Sequence, residues 1–151
     1  VQAWKNQGFS VVSGDERRPP EPRTYHLNLR DELNVQAAEL DDRGRPWVVV
    51  DTRSSIEWLT GRLPNAVHIP WTDFFNGRER RPLGGAELNR LLRRHGIDPE
   101  TPVVFYCTAG VRSAFVWTVY ALAGSRTARN YSGGVSDWQE FTRKSPSRRG
   151  A

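Results

Sequence analysis

The sequence predicts an α/β domain built on a mainly parallel sheet, and three observations carry that expectation. Two continuous apolar runs, 46–51 (PWVVVD) and 102–107 (PVVFYC), read as strands covered on both faces. Helix-like segments closed by glycine alternate with strand-like ones. A length of 151 residues suits one such domain with a short appendage.

Each element follows from its local pattern. Residues 1–8 (VQAWKNQG) read as a short helix stopped by Gly8. Residues 13–24 (SGDERRPPEPRT) are dense in proline and charge, which excludes a regular helix or a central strand and reads as a linker. The alternation in 25–29 (YHLNL) predicts a short strand. Residues 34–44 (NVQAAELDDRG) predict a helix with Asn34 as cap and Gly44 as stop. After the first apolar strand, 54–61 (SSIEWLTG) reads as a short capped helix and 66–70 (AVHIP) as a short strand. Residues 85–96 (GAELNRLLRRHG) put Leu88, Leu91 and Leu92 on one face and end in basic residues and Gly96, a well-formed helix signal. Residues 113–124 (SAFVWTVYALAG) are apolar nearly all round and predict a buried helix. A strand at 127–131 (TARNY) and a helix at 135–141 (VSDWQEF) close the pattern. The expected organisation is a terminal helix at 1–8, a linker at 9–23, the domain at 24–141 and a basic tail at 142–151.

Composition narrows the function classes. One cysteine excludes an internal disulfide and a cysteine-cluster zinc site. His26, His68 and His95 are scattered without metal-ligand spacing, so neither metal nor cofactor is expected. No apolar run approaches the ~20 residues that cross a membrane, and the first ten residues show no secretory pattern. A lone thiol suits a reducing compartment, and the expected location is cytoplasmic. The net charge of +5 is carried almost wholly by arginine; it fits a solvated surface and favours small anions. Nucleic acid is not an expected partner, because the arginine clusters at 78–81 and at the end of the chain lack interleaved aromatics.

Asp51 and Cys107 both fall at carboxyl ends of predicted buried strands, where open α/β sheets collect their ligands. Blind to context, a free cysteine is a small buried hydrophobe. The context of Cys107 differs. Gly110 permits a tight backbone curl, and Ser113 is a candidate cap for the next helix. A strand–loop–helix junction turns several N–H groups on one spot and adds the partial positive charge of a helix N-terminus. A sulfur there has a lowered pKa, and the same amides, from Thr108, Ala109, Gly110, Val111, Arg112 and Ser113, would hold an anionic adduct on it. No histidine neighbours the cysteine, so the loop itself must activate the thiol.

The run 107–113 (CTAGVRS) resembles the active-site loop C-x-x-G-x-R/T of the rhodanese-homology sulfurtransferases. Residues 48–71 (VVVDTRSSIEWLTGRLPNAVHIPW) are similar to that family's D-x-R … E-Y/W … G-H-I-P-G-A-x-x-I-P segment, and 130–141 (NYSGGVSDWQEF) to its closing Y-x-G-G-x-x-x-W. The resemblance implies a five-stranded parallel sheet between helices. It also implies an enzyme of the thiosulfate sulfurtransferase type, in which Cys107 attacks a small anionic sulfur donor, carries a persulfide and passes sulfur to a thiol or cyanide. Arg112 would hold the donor or fix the loop; its plainer role is a salt bridge to Asp51 or a glutamate. Arg53 would ion-pair within D-x-R, and Asp51 would accept loop hydrogen bonds or serve helix entry. The opening VQAWKNQGFSV resembles the last helix of a preceding rhodanese domain, with Ser10 where proline is usual; a native N-terminal extension is the alternative. Arg62, Leu63 and Asn65 depart from G-H-I-P-G, and Glu57 stands near a position where many tandem enzymes carry an arginine, which weakens any mercaptopyruvate assignment. A non-catalytic sulfur-carrier module is the second reading. A phosphatase or arsenate reductase is the third, and its C-x-x-x-x-x-R loop needs one residue more between cysteine and arginine than stand here.

Overall fold

The structure is a computed structural model and describes residues 1–14, 21, 23, 24, 26–28, 30–42, 44–125 and 127–144. Four parallel strands form the central sheet in the order β2–β1–β5–β6. They are β1 (Val48–Asp51), β2 (Val67–His68), β5 (Val103–Tyr106) and β6 (Ala128–Tyr131). A separate antiparallel ribbon pairs β3 (Phe75–Asn76) with β4 (Arg81–Pro82). The helices are α1 (Gln2–Asn6), α2 (Ala37–Leu40), α3 (Ser55–Leu59), α4 (Gly85–Arg94), α5 (Val111–Leu122) and α6 (Gly134–Lys144). Among the described residues no helix is long and apolar enough to cross a membrane.

The apolar strand runs behave as their composition requires. All four residues of β5 are buried, and they alternate between two cores. Val103 and Phe105 join Val50, Ile69, the α4 leucines and Val116, Val119 and Tyr120 of α5. Val104 and Tyr106 join Val35, Leu63 and Tyr131, with Trp138 and Phe141 of α6 against them. Period-two alternation in a strand packed on both faces leaves no position for a polar side chain until the strand ends. The register sets Asp51 opposite Tyr106, and Tyr106 opposite Tyr131, so these strand ends share one level.

Several expectations are corrected. Asn34 does not cap a helix. It forms an isolated parallel bridge with Asn130 beside β6, its Oδ1 accepts from Ser132 N at 3.1 Å, and the helix begins later, with Gln36 as cap. The adjacent Val35 is fully buried, which draws this stretch onto the sheet edge instead of into a helix. The main sheet thus has four strands where five were expected, with only this single bridge beside β6. Of 25–29, residues 26–28 are exposed and form no strand, while Tyr25 and Leu29 lie outside the described residues. Most of the 13–24 linker, residues 15–20 and 22, lies outside them too. Ser113 is not the cap of α5; Gly110 is, with φ +83°, and Ser113 sits buried in the first turn. That helix is half-buried, with Leu122 exposed. At the end of the chain α6 continues through 142–144, and 145–151 lie outside the described residues.

Candidate active site

Cys107 follows β5 directly and is only 2% exposed. Its neighbours are main chain for the most part. Burial pushes the thiol pKa up, but hydrogen bonds from the Ser113 N–H, the Ser113 hydroxyl and the Ala109 and Arg112 N–H groups outweigh it and hold the pKa below the ordinary value. Ser113 Oγ lies 3.7 Å from the sulfur and 3.0 Å from the Gly110 carbonyl. The first turn of α5 adds its positive end. Of the six loop residues named from sequence, Ala109, Arg112 and Ser113 thus bring hydrogen-bond donors to the sulfur, while Gly110 supplies the curl. Val111 points into solvent, 79% exposed.

The loop is held from behind by the next glycine pair. The first N–H groups of α6 meet its carbonyls: Val135 N donates to Cys107 O at 2.9 Å and Ser136 N to Thr108 O at 3.3 Å. A Cβ on Gly134 (φ +59°) would stand 2.5 Å from Thr108 O, and one on Gly110 2.5 Å from Ser132 O. Both positions need glycine for backbone conformation and for space. The loop and the Ser132–Gly134 turn therefore fit each other only with bare backbone on both sides.

Beside this loop, at the end of β1, lies a buried ionic network. Asp51 is fully buried and Arg53 is 4% exposed. The guanidinium embraces the carboxylate, Nη2 to Oδ2 at 2.6 Å and Nε to Oδ1 at 3.0 Å, and Nη2 also donates to Gly61 O at 2.5 Å. Tyr106 Oη donates to Asp51 Oδ2 at 2.6 Å and accepts from Leu63 N at 3.2 Å. Burial works against the Arg53 charge, and the Asp51 carboxylate more than restores it. Asp51 therefore serves Arg53 and Tyr106; no hydrogen bond from the Cys107 loop reaches it. His68, stacked on Trp58 at 5.0 Å, meets the Arg53 carbonyl through Nε2 at 2.9 Å, a structural role.

Arg112 pairs with Glu57. Nη1 donates to Oε2 at 2.7 Å, and Nη2 to Oε1 at 2.6 Å and to Thr108 Oγ1 at 2.9 Å. Thr108 Oγ1 donates in turn to Glu57 Oε1 at 2.9 Å. Ser54, the cap of α3, donates to Glu57 through Oγ at 2.7 Å and through N at 3.1 Å. Arg112, with these other donors, holds the Glu57 carboxyl well below the usual carboxylate range. Glu57 was not among the site residues proposed from sequence. The signal was present as a capping box, Ser54-x-x-Glu57, which turns a glutamate towards the N-terminus of its own helix. The partner 55 residues away is what local reading misses.

The described residues contain no cluster of histidine, cysteine and carboxylates that could hold a metal ion. A cleft of about 550 Å³, lined by Asp73, Asn76, Leu83, Glu87 and arginines of α4, includes no residue of the Cys107 loop.

The Rhodanese-like domain family matches residues 34–141, which takes in the strand pair, the cysteine loop and the glycine turn behind it. The chain belongs to the rhodanese-like domain family. This rhodanese-like domain is 33% identical over 132 residues to the Mycobacterium tuberculosis protein named "Putative thiosulfate sulfurtransferase SseB", covering 75% of this chain and 46% of that protein. It is 24% identical over 148 residues to the Schizosaccharomyces pombe protein named "Probable 3-mercaptopyruvate sulfurtransferase", covering 85% and 49%. The chain thus spans about half the length of these relatives. Among solved structures, that of wild-type EanB shares the rhodanese-like fold with a TM-score of 0.75 at 22% identity, over 92% of this chain and 37% of that one.

Proposed function

We propose that this rhodanese-like domain is a sulfurtransferase of the thiosulfate type, with Cys107 as the nucleophile. The thiolate attacks the outer sulfur of the donor, the donor's S–S bond breaks, and sulfite leaves with the bonding electron pair. A persulfide remains on Cys107, and a thiol or cyanide acceptor then takes the outer sulfur. The observation that carries this reading is the recessed Cys107 thiol, with Ser113 Oγ 3.7 Å from the sulfur and donors of Ser113, Ala109 and Arg112 lowering its pKa. Such a cradle stabilises an anionic sulfur before and after transfer. The sulfurtransferase names of its relatives support the same class. Thr108 and Arg112 line the approach with Glu57, and Asp51 with Arg53 keeps the adjoining strand end rigid.

Residues 1–8 belong, in this reading, to the end of a preceding rhodanese-like unit. None of the residues of α1 is buried, and Trp4 packs on Phe9 and donates to the Ser10 carbonyl. The test of the reaction is intact mass after thiosulfate treatment. The chain gains one sulfur atom, and Cys107→Ser gains none; an unchanged mass overturns the proposal.

A further inference from the structure

Away from the Cys107 loop, one helix gathers positive charge that nothing balances. Arg90, Arg93 and Arg94 of α4 all line the cleft of about 550 Å³, together with Asp73 and Asn76 from the segment that leads into the β3–β4 ribbon. Arg90 stands three and four positions before the other two, a spacing at which side chains on a helix are neighbours and like charges repel. The helix dipole favours Arg93 and Arg94 in the last turn, but that effect fades within a turn and does not account for Arg90. Among the described residues none of the three makes an ion pair.

Carboxylates are at hand in the same cleft and are engaged elsewhere. Glu87 accepts from Asn76 Nδ2 through Oε1 at 2.6 Å and from Gly84 N through Oε2 at 3.0 Å. The first of these bonds ties β3 to α4, so the two sides of the cleft are already fixed to each other. Asp73 accepts from Thr72 Oγ1 at 3.4 Å, a long bond that leaves most of its acceptor capacity unused. A second hollow shares Asp73, Asn76 and Arg94 and includes His95, so the groove follows α4 to its end. Its volume falls in the range of small-molecule sites.

We propose that this cleft binds two linked phosphates on Arg90, Arg93 and Arg94. Guanidinium forks match phosphate oxygens in pairs, and a diphosphate offers several oxygens and more than one negative charge in a small volume. One such ligand serves all three arginines and removes their mutual repulsion. Leu83 and Asp73 in the same lining suit an organic part with carbon surface and hydrogen-bond donors. The site is separate from the sulfur chemistry, because the cleft includes no residue of the Cys107 loop.

The experiment titrates the chain with ADP and, separately, with inorganic pyrophosphate at low ionic strength, following backbone amide shifts by NMR. Saturable shifts are expected at 73–76 and 87–95, with ADP binding more tightly than pyrophosphate; the reverse order keeps the diphosphate site and assigns it to the free anion. Arg90→Gln with Arg94→Gln weakens the better ligand at least about fivefold, while Arg30→Gln with Arg143→Gln, which removes the same charge elsewhere, weakens it less than about twofold. The α4 double variant keeps the one-sulfur mass gain on Cys107. Shifts that do not saturate, shifts centred on 107–113, a smaller loss in the α4 variant, or an equal loss in the control overturns the proposal. If the double variant fails to fold, Arg90→Gln alone decides, at a loss of at least about threefold.

Discussion

Two adjacent strand ends in this domain meet the same problem by opposite means. At the end of β1 the polar groups are side chains, Asp51 and Arg53, closed on each other and on Tyr106 with every strong bond made. At the end of β5 they are mostly main-chain N–H groups turned on one sulfur. The first arrangement spends its charges on each other and has none left for a ligand. The second turns its donors on the Cys107 sulfur, the group that reacts in the proposed function. Rigidity and reactivity are thus placed side by side, one register step apart across β1 and β5.

The comparison predicts that damage to the first region appears as lost stability and damage to the second as lost chemistry. The largest effect is expected from Asp51→Ala, which strands the buried Arg53 charge and costs about 3–5 kcal/mol, read from the urea midpoint. Removing the charge from both partners, as in Asp51→Leu with Arg53→Met, recovers much of that loss if the network is structural. Gly134→Ala forces a Cβ onto the loop carbonyls in a left-handed conformation and costs roughly 2–4 kcal/mol. Unlike Asp51→Ala, it also slows persulfide formation in the fraction that stays folded. Tyr106→Phe leaves the Leu63 N–H without its acceptor and costs about 1–3 kcal/mol, with sulfur transfer retained.

Ser113→Ala has the smallest effect on stability and sharpens the contrast most. Its hydroxyl helps hold the thiol below its usual pKa, so its loss raises that pKa. The pH profile of Cys107 alkylation moves to higher pH, and the rate at neutral pH falls by a factor of about several. An unmoved profile shows that backbone donors alone set the acidity.

Much of this was legible in the sequence because its causes are local. The strand run before Cys107, the glycine that curls the loop and the paired glycines behind it lie within short stretches, and each type of residue has few other uses there. D-x-R likewise announces an ion pair two residues apart. What was not legible depends on residues distant in sequence. Glu57 finds Arg112 across 55 positions, and Tyr106, read only as part of an apolar run, reaches Asp51 through its hydroxyl. Asn34 suits a helix cap and a strand bridge equally well, and only the burial of Val35 decides between them. Ser113 was displaced from its cap because Gly110 alone can take φ +83° at that junction.

The contacts from Val135 and Ser136 to the carbonyls of Cys107 and Thr108 set an order of assembly. During synthesis the cysteine emerges well before the helix that buttresses its loop. Until that helix docks, the carbonyls of Cys107 and Thr108 lack these two donors. The surroundings of the Cys107 sulfur are therefore complete only when α6, the last helix of the described residues, is in place.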